Sequence, residues 1–230
     1  MIGDRIIVAL DVPDLESALT LCDRLPAVTH YKVGLELFIS CGQEILWALR
    51  ARGKEIFLDL KLHDIPNTVA RACQIAMRYE VKFLTVHALG GQDMLSAAQS
   101  AVADSNTQLL AVTVLTNLTA EQLQTALKIT LPLSEYVLHL ASLSQQAGIA
   151  GVVCSPHEIA PLRAKFGQAM GIVCPGVRPP WAVVGDQQRI MTPKEAIAAG
   201  ADYLVIGRPI TQHPDPPEAW QKILQELTTG

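Results

Sequence analysis

Apolar runs rich in β-branched residues alternate with amphipathic stretches along the whole chain. The runs predict strands at Ile6–Val12, Tyr31–Leu37, Ile56–Leu62, Phe83–Ala88, Leu109–Leu115, Gly151–Cys154, Gly171–Val177 and Tyr203–Gly207. The stretches between them have helical spacing and predict helices at Leu15–Leu25, Gln43–Arg52, Val69–Tyr79, Met94–Ser105, Ser134–Ala147, His157–Phe166 and Pro193–Ala199. Because the strands are almost continuously apolar, we expect them to be parallel and covered by the helices.

The number of strand–helix units indicates the fold class. Eight such units fit an α/β fold in the form of a single (β/α)₈ TIM barrel, and one barrel can use residues 1–230 as a single domain. A doubly wound open sheet is the alternative, but no Gly-x-Gly-x-x-Gly motif follows the first predicted strand. The sequence shows no linker that would divide the chain.

Composition and charge exclude several classes of function. The net charge of −4 provides no basic surface for nucleic acid, and no apolar run approaches the length of a membrane span. The first residues enter a strand directly and lack the basic segment and cleavage site of a signal peptide. The five cysteines have no metal-ligand spacing, and an odd number argues against a disulfide framework. We therefore expect a soluble, cytoplasmic protein that binds neither nucleic acid nor membranes.

The most informative stretch is the strand and turn at Phe57–Thr68. In an extended strand Asp59 and Lys61 share one face, and Asp64 follows just beyond the strand end. A single Asp-x-Lys pair is more often a structural ion pair than a functional one. Two acids and a base within six residues of an otherwise apolar strand would cost several kcal/mol in desolvation. The pattern therefore favours a lysine held charged and directed at a ligand.

In a barrel, functional groups are expected at the carboxyl ends of the strands. Polar residues occupy these positions in seven of the eight predicted units: Asp11, Lys32, Asp59 with Lys61, His87, Thr116 with Asn117, Arg178, and Arg208. Singly, most have a structural explanation: Asp11 suits a turn, Lys32 could neutralise a neighbouring acid, and His87 suits a hydrogen-bonded interior position. Their shared location favours the functional interpretation.

The last two units suggest a phosphate site. Gly207 allows close backbone approach and Arg208 offers a planar guanidinium to a dianion, in the loop position where barrels commonly bind phosphate. The long irregular loop Val177–Arg189 contains paired prolines, Trp181 and Gln187, and it is typical of an active-site lid.

The pattern Asp59-x-Lys61-x-x-Asp64-Ile65-Pro66-x-Thr68 resembles the signature of the orotidine 5'-phosphate decarboxylase family at every fixed position. Weaker matches follow in the same order along the chain: Ala9-Leu10-Asp11, Tyr31-Lys32-Val33-Gly34, Thr85-Val86-His87-Ala88, Val112–Thr116, Pro175-Gly176-Val177-Arg178 and Ile206-Gly207-Arg208. The resemblance implies decarboxylation of orotidine 5'-phosphate to UMP and carbon dioxide, the last step of de novo pyrimidine synthesis, with no cofactor and no metal.

The resemblance also implies a role for each site residue. Lys61 would protonate the ring carbon that loses carbon dioxide, with Asp59 and Asp64 beside it and Lys32 completing the charged network. The residues implied to contact substrate are Asp11, Lys32, Asp59, Ile65, Thr68, Thr116, Arg178, Gln187, Gly207 and Arg208. The enzyme would be a homodimer, with Asp64 and Thr68 reaching into the neighbouring subunit's site. Bacterial relatives often have Ser where this chain has Asn117, which leaves open whether Thr116 alone, or Asn117 as well, contacts the pyrimidine.

Two other functions fit parts of the pattern. Sugar-phosphate decarboxylases and hexulose-phosphate synthases resemble this chain in fold and in Asp-x-Lys-x-x-Asp, but they need a magnesium ion, for which Glu36 is a conceivable ligand. The Ile65-Pro66-x-Thr68 extension favours the nucleotide enzyme. A catalytically silent phosphate-binding barrel would keep Gly207 and Arg208 but would have no reason to place Lys61 between two acids.

Overall fold

The computed structural model describes residues 2–182 and 191–228. Eight parallel strands within these residues close into a barrel in chain order, and the last strand pairs with the first. The strands are β1 (Ile6–Leu10), β2 (His30–Gly34), β3 (Glu55–Leu62), β4 (Phe83–His87), β5 (Gln108–Val112), β6 (Gly151–Val153), β7 (Gly171–Pro175) and β8 (Tyr203–Ile206). The predicted (β/α)₈ barrel is confirmed, and every predicted strand overlaps an observed one.

The side chains of the strands alternate between two apolar layers. One buried cluster fills the barrel interior and consists of Ile7, Ala9, Phe57, Phe83, Leu110, Val112, Val153, Val173 and Val205. The residues between them in sequence, such as Val8 and Leu58, belong to a larger cluster between the barrel and its helices. Because Phe57 faces the interior, the side chain two residues later, Asp59, faces the same way toward the carboxyl end of the barrel.

The helices surround the barrel in the expected order. They are α1 (Leu15–Arg24), α2 (Leu35–Cys41), α3 (Glu44–Ala51), α4 (Pro66–Met77), α5 (Gly91–Val102), α6 (Ala120–Thr125), α7 (Leu133–Gln146), α8 (Ile159–Phe166), α9 (Pro193–Ala199), α10 (Arg208–Thr211) and α11 (Pro216–Thr228). Within the described residues, no helix combines the length and the apolar character needed to cross a bilayer.

The prediction of a strand over Tyr31–Leu37 is wrong beyond Gly34. The strand stops there because Gly34, in extended conformation, is the N-cap of α2, whose first residue is Leu35. Leu37 is buried as one face of this helix rather than as a strand position. The helices α6 and α10 were also not predicted, because six and four residues are too few to show a helical period.

A buried histidine lies at the amino-terminal end of the barrel. The His30 ring is 3% exposed, its Nε2 lies 2.8 Å from Lys82 Nζ, and the Tyr203 ring packs against it edge to face. Burial and the Lys82 charge lower the pKa of His30 to about 4, although Glu55 and Asp4 oppose the shift. His30 is therefore neutral at neutral pH and accepts a hydrogen bond from the Lys82 ammonium.

This arrangement predicts a loss of stability on acidification. Since the folded-state pKa of about 4 lies below the ordinary value of 6.5, the unfolded chain binds more protons between these two pH values. The free energy of unfolding should therefore fall as pH drops through that window, with His30 contributing at most about 1.4 kcal/mol per pH unit. Urea denaturation at several pH values between 4.5 and 7.5 measures the slope. His30→Gln keeps an acceptor for Lys82 and should make the free energy of unfolding depend less steeply on pH. An unchanged slope would contradict the contribution assigned to His30.

Candidate active site

Charged and polar groups form a row across four neighbouring strands at the carboxyl end of the barrel. Asp59 and Lys61 lie on β3, Lys32 on β2, Asp11 directly after β1, and Arg208 directly after Gly207 at the end of β8. The strands are adjacent in that order because β8 pairs with β1. Residues far apart in sequence therefore lie along one line over the barrel mouth.

The Asp59–Lys61 pair is at one end of this row. Lys61 Nζ donates to Asp59 Oδ2 at 2.8 Å, and the two side chains are 33% and 14% exposed, respectively. The expectation that the two side chains share a face is met, since they are in contact. The strand is nevertheless irregular here: Lys61 has a φ of +49°, and the register with β4 shifts between Leu58 and Leu62.

The Thr85 side chain on β4 is hydrogen-bonded to both members of the pair. Thr85 Oγ1 donates to Asp59 Oδ1 at 2.9 Å. Thr85 Oγ1 also accepts a hydrogen bond from the Lys61 backbone N–H at 2.8 Å. Sequence reasoning assigned Thr85 no role beyond its place in a family segment. The available signal was its alternation with Phe83 and His87, which places a hydroxyl on the inward face of a buried strand.

Lys32 and Asp11 form a second pair next to the first. Lys32 Nζ donates to Asp11 Oδ1 at 2.5 Å, with the lysine side chain 11% exposed and the aspartate side chain 54% exposed. Gly34 leaves room for the ammonium, because a Cβ atom at that position would lie 2.8 Å from Lys32 Nζ. The ammonium is thus held below the mouth while the carboxylate remains accessible to a ligand.

His87 lies beside the charged pair as a neutral ring. Burial, together with the charges of His63 and Lys61, lowers its pKa to about 4. Its ring stacks on His63 with centroids 5.3 Å apart, and its buried Nδ1 has no hydrogen-bond partner among the described residues. His87 is therefore an interior histidine as expected, but this nitrogen lacks the expected hydrogen bond.

The segment from Asp64 to Thr68 is exposed. The Asp64 carboxylate accepts the Ile65 backbone N–H at 2.6 Å and forms no ion pair with any described residue. The Ile65 side chain is exposed, and Thr68 is exposed in the first turn of α4. In a single subunit, the second acid of the motif therefore does not pair with Lys61.

Two arginines line a cavity beyond β7 and β8. The cavity has a volume of about 430 Å³ and is lined by Arg178, Trp181, Ala182, Arg208, Pro209, Gln212, His213, Pro214 and Lys222. Arg178 is buried and its backbone N–H bonds to Met191, whereas Arg208 is exposed at the start of α10. Gly207 packs closely on β1, since a Cβ there would lie 3.4 Å from Ala9 Cβ and 3.5 Å from Asp11 Oδ2.

Part of the predicted lid is described. Trp181 is 39% exposed, its ring meets His213 edge to face at 5.7 Å, and Lys222 Nζ lies 5.7 Å from its centroid. Gln187 and most of the predicted lid up to Arg189 lie outside the described residues.

The remaining candidates lie after β5 and β2. Thr116 is partly buried and Asn117 is exposed in the segment that follows β5, so both are near the barrel mouth. Glu36 is exposed in the first turn of α2. Within residues 2–182 and 191–228, no group of three or more His, Cys, Asp or Glu side chains is arranged to hold a metal ion.

Comparisons with known proteins agree on one family. A model of the "Orotidine 5'-phosphate decarboxylase / HUMPS family" matches residues 4–223. An orotidine 5'-phosphate decarboxylase of Nostoc sp. is 56% identical over 236 residues, covering 100% of this chain and 99% of that protein. One from Gloeothece citriformis is 56% identical over 229 residues, covering 99% of each. The crystal structure of the Lactobacillus acidophilus orotidine 5'-phosphate decarboxylase superposes with a TM-score of 0.88 at 37% identity, covering 98% of this chain and 100% of that one. The chain belongs to the orotidine 5'-phosphate decarboxylase / HUMPS family.

Proposed function

We propose that this protein decarboxylates orotidine 5'-phosphate to UMP and carbon dioxide, without a cofactor, as the last step of pyrimidine nucleotide synthesis. The observation that carries the proposal is the contact of Lys61 Nζ with Asp59 at 2.8 Å, in a row of polar groups that ends at Arg208. Such a row suits a ligand with a reactive ring at one end and a phosphate at the other.

The reaction needs a fixed cation at the carbon that loses carbon dioxide. When the bond from C6 to the carboxylate breaks, its electron pair remains in an orbital in the plane of the pyrimidine, where the ring π-system cannot delocalise it. A preorganised ammonium stabilises such a charge through space. Lys61 supplies this ammonium, then transfers a proton from Nζ to C6, and solvent afterwards reprotonates the amine.

Asp59 keeps the ammonium in place. Its Oδ2 accepts a hydrogen bond from Lys61 Nζ at 2.8 Å, and this charge-assisted bond fixes the direction of the ammonium. Asp59 also puts negative charge close to the substrate carboxylate, where repulsion favours its departure. Lys32 and Asp11, the adjacent pair on β2 and after β1, suit the ribose hydroxyls that lie between ring and phosphate.

The phosphate belongs at the other end of the row. Arg208 is exposed at the mouth and Arg178 lines the same cavity, so two guanidinium groups border the proposed place of the dianion. Gly207 allows its close approach, and Gln187 is proposed to close over it as part of the lid. Binding energy gained at this remote group can then orient the ring against Lys61.

The pyrimidine edge is left to the segment after β5. Thr116 and Asn117 both lie at the barrel mouth, and either side chain can hydrogen-bond to a carbonyl or N–H of the ring. We propose Thr116 for this contact, because it is the less exposed of the two.

The working unit is proposed to be a homodimer with shared sites. Exposed large apolar side chains follow four consecutive strands, β2 to β5, on one side of the mouth: Leu35, Ile39, Ile65, Leu89 and Leu115. Large apolar side chains exposed on neighbouring units of the barrel suit a subunit interface. Asp64, which has no cation partner among the described residues of its own chain, and the exposed Ile65 and Thr68 would then contact the substrate of the neighbouring subunit.

The setting of the enzyme is part of the same proposal. The five cysteines are free and four of them are buried, which suits the reducing cytoplasm. We also propose that residues 1–230 act as one catalytic domain, because the family model spans residues 4–223 and the strands close into one barrel.

One experiment distinguishes the nucleotide decarboxylase from a magnesium-dependent sugar-phosphate enzyme. Purified protein is incubated with orotidine 5'-phosphate, and the loss of orotate absorbance is followed with and without EDTA. The proposal expects turnover that EDTA leaves unchanged. No turnover of the nucleotide, together with magnesium-dependent activity on a hexulose phosphate, would instead support a sugar-phosphate enzyme.

Arg208→Ala should raise the KM for orotidine 5'-phosphate strongly and also lower kcat, because it removes a charge-assisted fork to the phosphate that helps to orient the ring. Steady-state kinetics on the phosphorylated substrate measure both effects. Arg208→Lys keeps the charge but not the two-pronged guanidinium geometry. Its KM and kcat should therefore lie between those of wild type and Arg208→Ala. On orotidine without its phosphate, wild type and Arg208→Ala should be nearly equal; a large loss there would make Arg208 a structural residue.

A further inference from the structure

We infer that Thr85 is a positioning residue for the decarboxylation, acting through Asp59 and Lys61. The inference rests on the proposed function and adds to it a residue that the signature motif does not contain. Thr85 is fully buried and its hydroxyl bonds to both residues of the catalytic pair, so it acts through them rather than on the substrate.

Three hydrogen bonds join these residues into a closed ring. The Lys61 backbone N–H donates to Thr85 Oγ1 at 2.8 Å, the Thr85 hydroxyl donates to Asp59 Oδ1 at 2.9 Å, and Asp59 Oδ2 accepts from Lys61 Nζ at 2.8 Å. A threonine hydroxyl has one donor and two acceptor sites, so it can serve both neighbours at once. The ring thereby fixes the carboxylate and, through it, the direction of the ammonium.

The backbone of Lys61 explains why a side chain is needed at this point. Its φ of +49° lies in the left-handed region, which residues other than glycine rarely adopt. Such conformations persist where the surroundings determine them, and they concentrate at functional sites. The register between β3 and β4 shifts between Leu58 and Leu62. The Thr85 side chain, instead of a β4 carbonyl, therefore accepts the Lys61 N–H.

Removal of the hydroxyl should damage geometry rather than binding. Thr85→Val keeps nearly the same shape but leaves the Lys61 N–H and one Asp59 oxygen without this partner. A hydrogen bond to a charged group, if its loss is felt mainly in the transition state, corresponds to a fall in kcat of about 10- to 100-fold. The KM should change little, because the phosphate-binding residues lie after β7 and β8, away from Thr85.

The experiment compares wild type with three variants. Thr85→Ser restores the hydroxyl and should return kcat to within a few-fold of wild type. Thr107→Val is the matched control: it removes another buried threonine hydroxyl, which donates to the Val81 carbonyl at 2.7 Å just before β5, at the opposite end of the barrel. This control should lower thermal stability while leaving kcat and KM near the wild-type values.

The outcomes distinguish a positioning role of Thr85 from a structural one. A low kcat with retained KM in Thr85→Val, recovered in Thr85→Ser and absent in Thr107→Val, supports the positioning role. A kcat for soluble, folded Thr85→Val within threefold of wild type overturns it, as does an equal loss in Thr85→Ser. If Thr85→Val fails to fold, Thr85→Ala and Thr85→Cys provide the same comparison of kcat with KM. Wild-type protein that leaves orotidine 5'-phosphate unchanged would instead refute the proposed function itself.

Discussion

Replacing Lys61 with alanine is expected to reduce kcat by more than about 10³, with binding of UMP retained. In the proposed mechanism the substitution removes both the ammonium that faces the developing carbanion and the donor that protonates it. Loss of a preorganised electrostatic group costs roughly 10²–10³ in rate, and loss of the general acid adds to this. The residues proposed to bind the phosphate lie after β7 and β8, so the change leaves them in place. Turnover is measured by absorbance and UMP binding by calorimetry.

The matched control for this variant is Lys165→Ala. Lys165 lies in α8 on the outside of the barrel, with its Nζ over the Phe166 ring. Its removal should leave kcat unchanged. A Lys61→Ala enzyme that retained activity within tenfold of wild type would refute the mechanism.

Mixing two inactive variants should restore activity to roughly a quarter of wild type. Lys61→Ala and Asp64→Ala homodimers are each expected to be nearly inactive, because every shared site lacks one group. In a mixed dimer one site lacks both groups, and the other takes Lys61 from one chain and Asp64 from its partner. With random exchange about half of the dimers are mixed, and each has one intact site of two.

The complementation assay distinguishes a shared site from a site within one chain. The two variants carry different tags, subunit exchange is verified by mass spectrometry, and turnover is measured before and after mixing. If Asp64 serves its own Lys61, every site stays damaged and verified exchange restores nothing. The two single variants, each mixed with itself, provide the baseline.

The alternation of apolar residues was sufficient to predict the barrel and the shared face of Asp59 and Lys61. Parallel, continuously apolar strands need helices on their outer side, and a two-residue spacing puts Asp59 and Lys61 on one face. Both expectations concern local periodicity, which a sequence records directly. The amphipathic helix α11 also had a readable pattern, with Ala219, Trp220 and Ile223 buried on one face, although it was not predicted.

The features of β3 that were not predicted depend on contacts between strands. The left-handed backbone at Lys61 accompanies a register shift against β4. The sequence does not indicate this conformation, because lysine does not favour it. The bonds of Thr85 depend on that same shift. The start of α2 directly after Gly34 was hidden because Leu35 and Leu37 suit a strand as well as a helix.

The close packing of Gly207 against the end of β1 has a consequence for how the protein folds. The residues proposed to bind the ribose and the phosphate lie on the two sides of the seam between β1 and β8. Paired residues across this seam, such as Ile6 and Leu204, are nearly 200 positions apart in the chain. During synthesis, the Asp59–Lys61 pair is complete long before this seam can close. A nucleotide that contacts both sides of the seam binds only the closed form and opposes its opening. If the nucleotide occupies the proposed site, we expect it to stabilise the pairing of β1 with β8, so that these two strands separate less often when it is bound.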